Sequence, residues 1–183
     1  MIVGKTVTLR GLELTDVDEL LVYWNDIQFM NYSGRITPMS REEGLEWIRR
    51  TWDERRQGEI YTFAISTNKS QKYIGNIRLK ILNTVSKRGD ISLGIFNPEF
   101  RDKGLGTEAL ELAIEFGFET LNLLSLELRV FSNNFRAIAV YKKLGFREIG
   151  VRRKADYING EFLDDLMMDL LVEEWRIRKT LEV

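Results

Sequence analysis

The sequence predicts a mixed α/β fold, helices packed on a mixed sheet in α+β fashion, with the element order β-α-α-β-β-β-α-β-α-β-β. Three observations predict it. Short segments that alternate apolar and polar residues, as strands do, are interleaved with longer ones whose apolar residues recur every three or four positions, as in helices. Helix boundaries are marked: Ser40 with Glu43 is a capping box, and Gly145 stands where a helix ends in a left-handed residue. The strand-like segment 90–96 passes through a glycine-rich turn directly into a long amphipathic stretch. At 183 residues, 44% hydrophobic and 30% charged, the chain fits one domain, residues 1–183, with a sizeable core.

Taken in order, 6–12 is the first strand, with Val7 and Leu9 on one face. Thr15 with Asp18 marks a helix start, and Leu20, Leu21 and Trp24 give that helix an apolar side through about Asn25. Residues 29–38, rich in Asn, Ser, Gly, Thr and aromatics, form a loop. The helix begun at Ser40 runs to about Gln57, with Leu45, Ile48 and Trp52 on one side. Strands at 61–66 and 72–82 flank a turn at 67–71. After the glycine-rich turn a helix extends to about Leu121, with Leu110, Ala113, Ile114, Gly117 and Phe118 at helical spacing. Leu126, Leu128 and Val130 alternate with Glu127 and Arg129 as a strand, and a helix follows from about 135 to 144. Strands near 146–153 and 162–171 close the sheet, and a polar tail at 173–179 is expected to be helical and solvated.

Composition narrows the chemistry. Zero cysteines means no disulfide framework, thiolate metal site or catalytic thiol. Zero histidines removes the commonest general base and the commonest metal ligand, so no metal is expected. Acid–base work falls to carboxylates, Tyr, Lys or water. A net charge of −1 offers no basic footprint for nucleic acid. No apolar run approaches the roughly 18 residues of a membrane span, and the first residues lack the two regions of a signal peptide. No membrane association and a cytoplasmic location are therefore expected.

Residues 101–107 read Arg-Asp-Lys-Gly-Leu-Gly-Thr, an R-x-x-G-x-G loop that opens a helix. Unpaired N–H groups and the positive end of a helix dipole favour an anion at such a place. Glycines let the backbone approach a ligand closely, and Arg101 and Lys103 add positive charge. The ligand this suggests is a pyrophosphate. The third glycine of a dinucleotide fingerprint is missing, and so is the Lys-Ser/Thr ending of a Walker loop. R-x-x-G-x-G after a strand, late in a chain of this size, resembles the acetyl-CoA loop of the GNAT N-acetyltransferases. Residues 134–146, Asn-Phe-Arg-Ala-Ile-Ala-Val-Tyr-Lys-Lys-Leu-Gly-Phe, are similar to the family's N-x-x-A-x-x-x-Y-x-x-x-G-F stretch. The element order resembles the GNAT acyl-CoA N-acyltransferase fold over nearly the whole chain. Thr8-Leu9-Arg10, Gly75-Asn76-Ile77, the segment 116–123 and the segment 157–164 resemble the ribosomal-protein (Rim-type) branch. Polyamine N-acetyltransferases share much of that pattern.

The resemblance implies an acyltransferase that moves acetyl directly from the cosubstrate acetyl-CoA to a primary amine. The cofactor-binding residues it implies are Ile95, Phe96, Asn97, Arg101, Asp102, Lys103, Gly104, Leu105, Gly106, Thr107 and Asn134. Parallel strands at 90–96 and 126–131 would part to admit the pantetheine arm. Backbone groups around Ile95 to Asn97 would bond that arm and polarise the thioester, a contribution of about 3–4 kcal/mol in other acyl-transfer sites. Tyr141 would protonate the departing thiolate, general acid catalysis contributing about 10²–10⁴-fold. Its structural alternative is a core aromatic, and that of Asn134 is a helix cap.

Asp90, Glu99 and Glu127 are the candidate bases, each with an alternative as a solvated or ion-paired side chain. An amine that arrives partly deprotonated needs none of them. By the same resemblance, residues 29–37 and 83–89 shape the acceptor mouth. The first of these mixes Arg35 with Tyr32, Asn31 and Ser33 and gathers no carboxylates. That favours a protein or peptide N-terminal amine over a spermidine-type polyamine or other small amine. Two other classes compete: a non-catalytic CoA-binding module, against which Tyr141 argues, and a nucleotide-binding protein, against which 134–146 argues. Assembly as a homodimer stays open.

Overall fold

Alternation in the first part of the chain becomes antiparallel strands. In the computed structural model, which describes residues 1–27, 29–30, 37–158 and 160–181, β1 (Ile2–Val3), β2 (Val7–Arg10), β3 (Ile60–Thr67) and β4 (Tyr73–Asn83) pair in that order. The sequence pattern does not mark β1, because two residues show no period. Most of the expected acceptor loop, with Asn31, Tyr32, Ser33 and Arg35, lies outside the described residues.

Two helices, α1 (Val17–Trp24) and α2 (Arg41–Gln57), bring apolar sides to a common core of Leu12, Val17, Leu20, Ile48, Ala64 and Tyr73. Full burial of each large aliphatic contributes about 1.5–3 kcal/mol. At the head of α2, Ser40 Oγ accepts from the Glu43 N–H at 3.3 Å, while the Glu43 carboxylate accepts from the Ser40 N–H at 2.6 Å. The spacing predicts that box, and it is present. The start of α1 differs from expectation. A 3-10 turn (Leu14–Asp16) precedes it, and the Glu13 N–H donates to Asp16 Oδ2 at 2.8 Å. Asp16 completes the box of that 3-10 turn and makes no side-chain cap bond to α1; Arg10 holds its carboxylate inside, with Nη1 and Nη2 donating at 2.8 and 2.7 Å. Asp18, the residue paired with Thr15 in the sequence, is exposed and pairs with Arg41.

By packing, the chain divides into two compact units, Met1–Lys80 with Leu93–Leu112, and Ile81–Ser92 with Ala113–Val183. β4, β5 (Arg88–Ile95) and α3 (Leu105–Glu115) each run along the chain from one into the other. In the second unit β5 begins parallel to β6 (Ser125–Phe131), with Arg88 opposite Ser125 and Asp90 opposite Glu127. β6 pairs antiparallel with β8 (Glu161–Leu171), and β8 with β7 (Arg147–Ile158). Parallel and antiparallel pairings therefore coexist, as the predicted mixed α/β class requires.

α3 ends in a wide turn over Phe116–Thr120, where the Leu121 N–H donates to the Phe116 carbonyl at 3.1 Å. α4 (Phe135–Lys143) and α5 (Val172–Leu181) follow β6 and β8. α5 is the predicted polar tail, but it is not wholly solvated. Val172 and Trp175 are buried, with the Trp175 ring 5.2 Å from that of Phe118, so two apolar residues three apart are enough to dock one side. No helix among the described residues is long and apolar enough to cross a membrane.

Asp16→Ala leaves the Arg10 guanidinium half-buried without its partner, and the expected loss of stability is about 3 kcal/mol. Arg41→Ala breaks only an exposed pair and should leave the unfolding midpoint unchanged. Urea denaturation of the two variants checks both statements.

Candidate active site

The end of β5 lies in the first unit and is held tightly. The Phe96 and Asn97 N–H groups both donate to the Ile74 carbonyl, at 2.9 and 3.5 Å. Arg101 reaches back so that Nε donates to the Ile95 carbonyl at 3.0 Å and Nη2 to the Phe96 carbonyl at 2.9 Å. Backbone groups that the sequence assigns to the pantetheine arm are thus bonded within the protein, and the Arg101 guanidinium sits on two of them. The Asn97 side chain is buried and accepts from the Glu99 N–H at 3.0 Å. β4 comes very close here, for a Cβ on Gly75 would overlap the Gly94 carbonyl oxygen. That contact is the physical reason for glycine in the Gly75-Asn76-Ile77 segment.

The loop then turns on two left-handed residues, Asp102 with φ 61 and Gly104 with φ 77. Left-handed residues alternating with ordinary ones make the backbone concavities that bind anions. A Cβ on Gly104 would meet nothing within 4 Å, so backbone conformation requires the glycine and the space beside it is open. At Gly106 a Cβ would lie 3.4 Å from Ile95 Cγ1 and 3.5 Å from Leu93 Cδ2, ordinary contacts, so packing alone does not demand glycine there. Leu105, Gly106 and Thr107 form the first turn of α3, whose N–H groups have no partner within the helix. Lys103 and Lys72 place their ammonium groups 5.8 and 6.0 Å from the centre of the Phe100 ring, two cations beside the loop. Lys72 comes from the turn between β3 and β4, and no motif in the sequence points to it.

In the same unit, rings from α1, α2 and β5 gather. Trp24 lies 4.6 Å from Trp47 and 6.2 Å from Phe29, and Phe29 lies 5.2 Å from Phe96, centre to centre. Several carboxylates on or just after those helices are already engaged. Asp18 pairs with Arg41, Glu42 with Arg49, Glu43 with the Ser40 amide, and Asp26 accepts from the Phe29 amide. Tyr73 is fully buried beneath them and donates to Asn76 Oδ1 at 2.9 Å; burial holds its phenol pKa well up.

The remaining candidates belong to the second unit. Asn134 caps α4, its Oδ1 accepting from the Ala137 N–H at 3.2 Å. Tyr141, 9% exposed, meets the Phe146 ring edge-on at 5.9 Å. The structural roles considered for both residues are therefore present, at the positions the family motif marks. Asp90 and Glu127 are neighbours across the parallel strands, and Glu127 pairs with Arg88. Asp169 stands opposite Glu127 on β8. Burial pushes its carboxyl pKa up, helped by Glu174 and Glu127 and opposed by Arg147 and Arg88. Glu99 belongs to the first unit, and Asp90 and Glu127 to the second.

A strand that passes through a glycine-bearing loop into a helix, on this element order, is the framework of an acyl-CoA-dependent transferase. The chain belongs to the GNAT acetyltransferases, since the family model described as acetyltransferase (GNAT) domain matches residues 6–147. The uncharacterised N-acetyltransferase p20 of Bacillus licheniformis is 28% identical over 172 residues, covering 93% of this chain and 96% of that one. An N-alpha-acetyltransferase of Saccharolobus solfataricus is 25% identical over 164 residues, 86% and 90% of the two chains. Among solved structures, a spermidine N-acetyltransferase from Vibrio cholerae in complex with CoA and spermine superimposes with a TM-score of 0.81 at 25% identity, covering 93% of this chain and 98% of that one. The enzyme is thus an N-acetyltransferase, and acetyl-CoA is its family's acetyl donor.

Gly104→Val puts a β-branched residue at φ 77, a strain of about 1–2 kcal/mol, and fills the open space in front of the loop. The fold should survive with a slightly lower melting temperature while calorimetric CoA binding is lost. Unchanged CoA affinity in this variant would remove the loop from the site.

Proposed function

We propose that this enzyme acetylates the N-terminal amine of a protein or peptide, with acetyl-CoA as the donor. The observation that carries the acceptor class is the group of rings Trp24, Phe29, Trp47 and Phe96, beside helices on which Asp18 and Glu42 are paired with Arg41 and Arg49 and Glu43 with a backbone amide. Apolar rings suit the first side chain of a peptide. The likeness to an N-alpha-acetyltransferase supports the same choice.

The roles of individual residues follow the family motif. Acetyl-CoA, when bound, supplies a thioester whose acetyl group is open to attack by an amine. The loop 101–107 receives the pyrophosphate through N–H groups of the concavity and of the first turn of α3, with Lys103 adding charge. Ile95, Phe96 and Asn97 line the arm, and Asn134 contributes from the head of α4. Tyr141 donates a proton to the departing thiolate. Of the carboxylates, Asp90, Glu99 and Glu127 remain the candidate bases, and Glu127 is the one seen in an ion pair, with Arg88. The described chain acts as a single catalytic domain.

A second interpretation, a polyamine acceptor, is favoured by the structural likeness to an enzyme solved with spermine. Thiol release measured with a panel of N-terminal peptides, spermidine, amino acids and aminoglycosides decides between them. Peptides should exceed spermidine in kcat/KM by about tenfold or more, the scale of discrimination that a single apolar pocket supplies. A preference for spermidine overturns the peptide assignment and leaves the acetyltransferase intact.

Tyr141→Phe keeps the ring against Phe146 and removes the hydroxyl. Melting temperature and acetyl-CoA affinity should be retained while kcat falls about tenfold or more. Wild-type turnover with a loss of several degrees in melting temperature would make Tyr141 a core residue only.

A further inference from the structure

Glu108 lies in the first turn of α3, immediately after the loop, and its carboxylate is committed elsewhere. It accepts from the Thr6 N–H at 2.9 Å and from the Thr6 hydroxyl, in the tight turn between β1 and β2. That turn is closed by the Gly4 N–H donating to the Val7 carbonyl at 2.9 Å, and the amides of Lys5 and Val7 also favour the charged carboxylate. Burial alone would push the Glu108 carboxyl up, but these donors outweigh it and hold it below the usual glutamate value. The other end of the same turn of helix is tied to the loop, where the Glu108 N–H donates to the Gly104 carbonyl at 3.0 Å. One residue thus bonds the left-handed glycine of the loop with its backbone and the N-terminal hairpin with its side chain. Gly4 completes the fit, since a Cβ there would overlap Glu108 Oε1 and lie 2.9 Å from Leu112 Cδ1.

A carboxylate one turn into a helix that receives a pyrophosphate is an electrostatic liability unless donors neutralise it. The hairpin supplies those donors, and in return it fixes the first turn of α3. We propose that Glu108 is a positioning residue for acetyl-CoA, holding the N–H groups of 104–107 in the geometry that receives the pyrophosphate by anchoring α3 on the β1–β2 turn. The inference rests on the assignment of that loop to acetyl-CoA. It makes the first residues of the chain part of the apparatus that sets cofactor affinity.

Two substitutions at opposite ends of the contact test it. Glu108→Ala removes the anchor from the helix, and Gly4→Ala crowds it from the hairpin side while leaving the Glu108 carboxylate in place, with a second, lesser contact on Leu112. In both, KM for acetyl-CoA and the calorimetric Kd for CoA should rise about tenfold, with kcat within about twofold of wild type. Glu108→Gln keeps an acceptor for Thr6 and should recover most of the lost affinity. Ile48→Val, a core change in the same unit, should lower the melting temperature without moving KM. Unchanged affinity in Glu108→Ala and Gly4→Ala, whatever happens to their melting temperatures, overturns the inference. So does tighter CoA binding, which would mean that the Glu108 charge only opposes the pyrophosphate. A wild-type enzyme that fails to bind CoA at all would instead remove the assignment of the loop, and the inference with it.

Discussion

Everything near the loop depends on how the last residues of β5 are held. The Ile74 carbonyl accepts two successive N–H groups, Gly75 lets β4 come within backbone contact of Gly94, and Arg101 bonds the carbonyls of Ile95 and Phe96. With those backbone groups fixed, the direction of the chain through Asn97 and Pro98–Phe100 is fixed too, and the loop starts from a defined point. The same constraint sends the Phe96 ring towards Phe29, Trp24 and Tyr73, so that the end of the strand becomes part of the core beneath α1 and α2. Arg101 is a side chain whose charge the sequence directs to an anion and whose geometry serves the backbone. A guanidinium has five donors, and two suffice for the carbonyls.

Electrostatics in this chain is sorted by burial. The Arg10–Asp16 pair is bidentate and mostly inside, and hydrogen bonding to Asp16 raises the guanidinium pKa further. The pairs along α1, α2 and α5 are exposed, and such pairs contribute little to stability. Two carboxyl groups tie stability to pH in opposite senses. Glu108, held below its usual value, stabilises the fold above about pH 4.3, and that contribution fades as pH falls through its folded pKa. Asp169, pushed up by burial, favours the fold when protonated, and its contribution is lost as pH rises through its raised pKa.

A chain without histidine or cysteine must do acyl transfer by holding its reactants and by placing donors, with little help from a strong base or nucleophile. Its features match that demand. The loop offers backbone N–H groups, the strand end is rigid, and the titratable candidates number one phenol and a few carboxylates.

Local rules were enough wherever a few neighbouring residues determine the outcome. The Ser40–Glu43 box, the stop after α4, the alternation of β6 and the strand–turn–helix around Gly104 depend on backbone chemistry within a turn or two, and the structure has them where the spacing puts them. The family follows from two such local motifs at the right separation. Tertiary contacts decided the rest. The turn before α1 is boxed by Asp16, and Asp18 is left outside, because Arg10, on a strand, reaches Asp16. β1 exists because β2 lies beside it, and α5 docks because Phe118 meets Trp175. The partner of Glu108 is Thr6, at the far end of the sequence, and the cation beside Lys103 is Lys72. Contacts of this kind leave no periodicity or spacing behind, because they form only after separate segments have packed, and one-dimensional order records only what neighbours in the chain do to each other.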